Sequence, residues 1–282
     1  MRNFTHHIVF SLIGLISFSC LDQINLDIGT GSSSVVVFGW VTSEARPYEI
    51  KLNLSNGYSD QSGYPPITGA EVYVTDQMGN RFDFIEVTES GRYFSDPSTF
   101  IGVPNNTYQL TIIHEEQTYT STQELMPALT PVEDAFINFI ADPADFQIDP
   151  TDENFFVSAF VDDDPNVDNY YRWKIYVNGE LRNQPEELVL FDDRFTNGNK
   201  FKYDAGNVVF TQSDRPSFEH MSLTKRAYDF YQNLQKQTSS STLSPRTQPG
   251  IIEGNMKNQD DPNDLILGFF GASEIIEVEV PL

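Results

Sequence analysis

Gly69-Ala-Glu-Val-Tyr-Val-Thr-Asp76, followed by Gln77-Met-Gly-Asn80 and then Arg81-Phe-Asp-Phe84, decides the fold class of this chain. Ala70, Val72 and Val74 share one face, the turn formers Gln77 to Asn80 reverse the chain, and Phe82 and Phe84 resume the alternation. A period of two describes a strand with one buried face, and two such strands around a Gly/Asn turn make a hairpin. Working outward, Val35 to Val41 opens the series, and Tyr48, Ile50, Leu52 and Leu54 alternate with Glu49, Lys51 and Asn53. Gly91-Arg-Tyr93 and the aligned Tyr108, Leu110 and Ile112 continue it, and His114 to Gln117 turns the chain into Thr118 to Ser121. Short strands punctuated in this way predict an antiparallel β-sandwich over residues 35–126.

Met126-Pro-Ala-Leu-Thr-Pro131 carries two prolines and marks a domain boundary. Beyond it, residues 132–282 predict a second mainly-β domain. Its strands are expected at Ala135 to Ile140, Phe155 to Val161, Tyr170 to Val177, Leu188 to Phe191, Asn207 to Phe210, Ile251 to Lys257, Leu265 to Ala272 and Ile275 to Val280. One surface helix is expected near 222–237, since Leu223, Ala227, Phe230, Tyr231 and Leu234 recur at helical spacing, with Ser222 as its N-cap. The aromatic residues, 22 Phe and 13 Tyr, fall mostly on these alternating positions and are expected in cores rather than on a sugar-binding platform. Tyr170 and Tyr171 must point to opposite faces of one strand, which leaves one of them free to be exposed.

The N-terminus reads differently. The apolar run Ile8 to Phe18 follows Arg2 and precedes Ser19-Cys20, and Cys20 is the sole cysteine. A short apolar core behind a basic residue and ahead of a small one is a secretory signal, too short to span a bilayer comfortably. With the thiol at the junction, residues 1–19 are expected to be a signal peptide. Cys20 is then the lipidated first residue of the mature chain, and 20–34, rich in Gly and Ser, a tether. Ser17 stands where the commonest lipobox has Leu, a looseness that resembles lipoboxes of Bacteroidota. With one cysteine, no intramolecular disulfide contributes to stability.

The chain has 41 acidic and 17 basic residues, a formal net charge of −24. A polyanion would be repelled, so nucleic acid is excluded as a partner, and anionic lipid does not hold the chain by charge. Membrane attachment therefore falls to the acyl chains on Cys20.

No catalytic constellation emerges. Past the signal only His114 and His220 remain, with no cysteine nucleophile and no Gly-rich phosphate loop. Asp162, Asp164, Asn166 and Asp168 alternate oxygen ligands as a calcium loop begins, but Val167 stands where such a loop needs Gly, and Trp173 where its bidentate Glu belongs. A solvated turn accounts for the same residues. No cofactor is expected, and the ligand-binding residues are left unassigned.

Two resemblances rest on these residues. Gly69-Ala-x-Val-x-Val, the Gly79-Asn turn and Gly91-x-Tyr93 resemble transthyretin-like or carboxypeptidase-regulatory-like modules of immunoglobulin type. Over most of the mature chain, Asn169-Tyr-Tyr-Arg172, Asp192-Asp-Arg194, Asn197-Gly198, Tyr228-Asp-Phe-Tyr231, Gly254-Asn255 and Leu267-Gly-Phe-Phe270 with Ala272-Ser273 resemble a Bacteroidota lipoprotein family. That family is domain of unknown function forty-two forty-nine. The resemblance implies a non-enzymatic outer-membrane lipoprotein at the cell surface, accessory to a TonB-dependent receptor or another outer-membrane protein. A subunit of a larger secretion or barrel-assembly complex is the alternative, and a surface hydrolase with paired carboxylates a third. Asp22 and Asp27 are the acidic residues after Cys20 that bear on surface export.

Overall fold

The computed structural model describes residues 33–56, 63–140, 151–238 and 250–281. The signal, Cys20 and nearly all of the tether lie outside them. The alternating segments of the first half form β1 (Val35–Thr42), β2 (Glu49–Leu54), β3 (Glu71–Asp76), β4 (Arg81–Glu86), β5 (Arg92–Ser95), β6 (Thr107–His114), β7 (Gln117–Ser121) and β8 (Glu124–Leu125). The second half supplies β9 (Val132–Phe139), β10 (Phe155–Asp162), β11 (Tyr170–Val177), β12 (Glu180–Leu181), β13 (Val189–Asp192), β14 (Lys200–Asp204) and β15 (Pro216–Leu223). Then come one α-helix, α1 (Lys225–Thr238), and β16 (Met256–Asn258), β17 (Leu267–Ser273) and β18 (Ile275–Glu279). The fold is mainly β, with several sheets; among the described residues there is one α-helix, and no helix is long and apolar enough to cross a membrane.

The first sheet runs β16-β7-β6-β3-β4-β5-β2-β1-β17, with β8 beside β6. In its β3–β4 hairpin Val72 faces Phe84 and Val74 faces Phe82, and the Asp76 carboxylate ties the turn by accepting from the Met78 and Asn80 amides at 2.9 Å each. The inward residues Val37, Ile50, Leu52, Val74, Tyr93 and Leu110 are fully buried. Phe100 sits among them, stacked on Phe82 at 4.0 Å and edge-on to Tyr48 at 5.4 Å. Each such side chain contributes roughly 1.5–3 kcal/mol of burial.

Two of these strands, β16 and β17, come from beyond the proline boundary, so the break at 126–132 parts segments that one sheet joins. β17 pairs in parallel with β1, Phe269 opposite Phe38. The closeness required explains the Gly254-Asn255 and Leu267-Gly268 motifs. Gly268 has φ +92°, and a Cβ there would overlap the Val37 carbonyl oxygen; a Cβ on Gly254 would overlap the Gly268 carbonyl oxygen. Asn255 then acts as a rung between the sheet's two ends. Its Nδ2 donates to the Phe270 carbonyl at 2.7 Å, its Oδ1 accepts from the Phe270 amide at 2.9 Å, and its own carbonyl accepts from the Thr122 amide.

The second half packs a three-stranded sheet, β14-β10-β9, with a five-stranded one, β12-β11-β15-β18 plus β13. Val157, Ala159, Tyr171, Trp173, Ile175, Tyr203 and Phe218 form their core. Three expectations need correction. Asn207 to Phe210 forms only an isolated bridge between Phe210 and Phe155, whereas the strand is Lys200–Asp204. The segment β15 was expected to hold only a helix start, yet it pairs with both β11 and β18. It is covered on both faces and so lacks the alternation that exposes a strand in sequence. Ser222 therefore lies in β15, and the helix is capped by Thr224, whose Oγ1 accepts from the Ala227 amide at 3.2 Å. The Ser222 hydroxyl instead donates to Pro127 O at 2.6 Å and accepts from the Glu274 amide at 3.0 Å.

These bonds tether the proline linker to the second half. The Thr130 and Tyr171 hydroxyls are hydrogen-bonded at 2.9 Å, and Leu129 N donates to Glu274 at 2.6 Å. Helix α1 buries Ala227, Tyr228, Phe230 and Tyr231 against Tyr170 and Leu223 on one side and Phe269 on the other. The helix thus fills the seam between the sheets.

Candidate functional site

Because β11 alternates, Tyr171, Trp173 and Ile175 enter the second core, which leaves Tyr170, Arg172, Lys174 and Tyr176 on the opposite face. Tyr170 is buried against Tyr228 and Tyr171 lies in the core, so neither tyrosine is exposed. On β1 the same logic sends Val37 and Val41 inward and leaves Phe38 and Trp40 outward. These two outer faces enclose a cleft of about 440 Å³, with Tyr231 of α1 at one end and the Arg46-Pro47 turn at its rim.

The cleft concentrates positive charge in an acidic protein. Four of the chain's 17 basic residues, Arg46, Lys51, Arg172 and Lys174, line it. Glu219 accepts from Lys174 Nζ at 2.9 Å and from the Tyr176 hydroxyl at 2.9 Å, and Arg46 stands 3.4 Å away. Burial pushes the Glu219 carboxyl up, but the Lys174 ammonium and these hydrogen bonds outweigh it, and the net direction is down. Burial, against the pull of Glu219, lowers Lys174, with repulsion from Arg172 and Arg46 adding to it. Tyr176 is pushed up to about 12 by burial and by the Glu219 charge.

Arg172 is the unusual member. Only 6% exposed, it donates from Nη2 to Asn183 Oδ1 at 2.6 Å and lies over the Tyr231 ring at 4.4 Å. Tyr231 in turn stacks on Trp40 at 5.7 Å, which stacks on Phe269 at 6.1 Å. No carboxylate among the described residues comes within 4.0 Å of this guanidinium, and its Nε has no hydrogen-bond partner. Trp40 Nε1 is likewise buried without a partner. Buried charges in proteins are ordinarily paired.

The candidate calcium loop is arranged differently from its sequence pattern. Asp162, Asp164, Asn166 and Asp168 are all exposed, and the Asp164 carboxylate accepts from the Asn166 amide and side chain at 2.9 and 2.8 Å. Among the described residues no group of three or more His, Cys, Asp or Glu is placed to hold a metal ion. Asp163, absent from the candidate set, is the loop residue that turns inward. It accepts from the Gly198 amide at 2.9 Å and the Tyr171 hydroxyl at 3.3 Å. Asp193 accepts from the Asn169 amide at 2.7 Å, and burial, with the Asp163 and Asp168 charges, raises its carboxyl. The Asn169, Asp193 and Gly198 motifs thus serve to dock two loops.

His114 ends β6 at the turn, and His220 is fully buried in the second core. Trp173 Nε1, which only donates, gives its proton to His220 Nδ1 at 2.9 Å; Nε2 therefore carries the imidazole proton and donates to Thr130 O at 3.0 Å. Burial lowers His220 to about 4. This histidine is a neutral structural group. A second buried polar cluster missed in sequence lies at the first turn of α1. There Glu124 accepts from Arg226 at 2.8 Å and Asn255 at 3.0 Å and ties β8, the helix and the sheet closure together.

A mainly-β protein whose two sheet assemblies are sewn by returning strands and one helix, with a basic aromatic cleft between them, is the class these features define. The chain belongs to the family described as domain of unknown function (DUF4249), whose model matches residues 22–277. No curated protein matches. Among solved structures, the Ca2+-stabilized adhesin with which an Antarctic bacterium reaches out and binds ice is 12% identical at a TM-score of 0.21. The match covers 90% of this chain, which spans 50% of that one.

Proposed function

We propose that this chain is a non-enzymatic lipoprotein of the outer membrane, held by a lipid on Cys20 at the cell surface and acting as the accessory binding component of a TonB-dependent receptor. The observation that carries the reading is the Cys20 junction. The sole thiol ends the apolar run, and the family match begins just past it, at residue 22. Bacteroidota is the source the loose lipobox fits, and the first sheet assembly takes the role of the transthyretin-like module. The cleft between the sheets supports a binding role, since it brings side chains of β1, β11 and α1 together around a space of ligand size. The test is purification of the tagged, full-length protein from detergent-solubilised outer membrane. Enrichment of a TonB-dependent receptor, lost on Cys20→Ala, is expected. Recovery of the lipoprotein alone would refute the receptor role, and recovery with a secretion or barrel-assembly machine would favour an assembly subunit.

A further inference from the structure

We infer that the cleft between β1 and β11 binds a small organic carboxylate carrying an aromatic or apolar body, with Arg172 as the residue that meets its charge. The inference deepens the binding role proposed above. Three observations carry it.

First, Arg172 is a nine-tenths buried guanidinium whose partners are all neutral, an amide oxygen and a phenol ring, in a chain with 41 acidic residues from which a partner could have been drawn. Glu219, the acid that meets Lys174 on this face, is already engaged by Lys174, Tyr176 and Arg46. Second, the neighbours make the positive charge worse rather than better. Arg46, Lys51, Arg172 and Lys174 line one space, and Glu49, the acid that also lines it, is bound by Arg92 at 2.5 Å. Arg46 and Lys174 already have carboxylate partners in Glu44 and Glu219, so the charge left to an entering anion is chiefly that of the buried Arg172, to which charge-assisted hydrogen bonds are strong. Third, the lining is also aromatic. Phe38, 42% exposed, contributes to it with Trp40, Phe94 and Tyr231, so an anion with a flat or apolar body finds ring surface in the same cleft as the charge. The same cleft repels cations and gives an uncharged analogue nothing to pair with Arg172.

The experiment uses the full-length protein in detergent and three probes: phenylacetate, its uncharged amide phenylacetamide, and inorganic phosphate. Binding is read from tryptophan fluorescence, since Trp40 stands at the cleft wall while Trp173 is fully buried. Phenylacetate is expected to quench saturably, and phenylacetamide to bind at least about tenfold more weakly, the loss that follows from one charge-assisted contact. Arg172→Met should weaken phenylacetate by at least about tenfold as well. If that variant does not fold, Arg172→Lys, which keeps the charge but not the Nε–H, should weaken it several-fold. Equal response to phenylacetate and phenylacetamide, or an unchanged response in the Arg172 variant, would overturn the inference; so would binding of phosphate but not phenylacetate. A protein that enriches its receptor yet ignores phenylacetate would sink this inference alone and leave the accessory role standing.

Discussion

Lowering the pH should destabilise this protein through one buried imidazole. In the native state His220 holds its Nδ1 lone pair toward the Trp173 N–H and has a pKa of about 4, against 6.5 for the unfolded chain. Above pH 6.5 the imidazole is neutral in both states and the full stability is present. Between 6.5 and about 4 the unfolded chain takes up a proton that the native state refuses, so stability falls as the pH falls. Below about 4 the native imidazole protonates too and no further loss comes from this group. The gap between the two values corresponds to about 3 kcal/mol, a large share of a stability of roughly 5–15 kcal/mol. The geometry gives the same direction: a proton on Nδ1 would face the Trp173 N–H and break that bond. Urea unfolding followed by far-ultraviolet circular dichroism, from pH 7 down to about 4, should show the loss. Because the carboxylates also titrate in this range, the decisive quantity is the difference from His220→Gln, whose side-chain oxygen can accept from Trp173 but cannot titrate. Its stability curve should be flatter by about 3 kcal/mol over that range. Parallel curves for the two proteins would refute the assignment of His220 as a buried neutral group.

The sheet closure offers a second check. Asn255→Ala leaves the Phe270 amide and carbonyl unpaired in a buried site, and should cost about 2–5 kcal/mol in denaturant unfolding. Gly268→Ala meets both a left-handed backbone and the Val37 carbonyl, and is expected to prevent β17 from docking, seen as lost amide protection in β1 and β17 together. Thr224→Ala should cost about 1 kcal/mol as a lost helix cap, whereas Ser222→Ala should cost more by freeing the Pro127 carbonyl and the Glu274 amide. Calcium or a chelator should leave the melting temperature unchanged, since Asp162, Asp164 and Asp168 are exposed and no metal-holding group forms among the described residues.

The half-buried strands were legible because one face of each is wet. Val72 and Val74 alternate with Glu71 and Tyr73, whereas Tyr170 to Val177, buried on both faces over its first half, was legible from its aromatic and β-branched residues. The strand β15 was not, since Glu219, His220 and Ser222 are polar residues made tolerable inside by partners distant in sequence. Short-range periodicity carries no trace of such partners. The return of β17 to β1 was hidden likewise: Gly254, Asn255 and Gly268 were visible as motifs, but Gly268 meets the backbone of Val37, over two hundred residues away, while Gly254 and Asn255 meet Gly268 and Phe270 behind it. The cleft could not be read at all. Arg172 and Trp40 are ordinary strand residues until two sheets place their outer faces together, whereas the pattern that did suggest a site, the alternating acids from Asp162, lies on an exposed turn.

Membrane attachment in this proposal falls to Cys20, and mass spectrometry of the mature N-terminus reads its state. Protein recovered from the outer membrane should begin at Cys20 with a diacylglyceryl group on its sulfur, and Cys20→Ala should leave the membrane fraction. A mature chain that starts elsewhere, or carries an unmodified Cys20, would contradict lipid attachment and with it the proposed placement of this chain beside a membrane receptor.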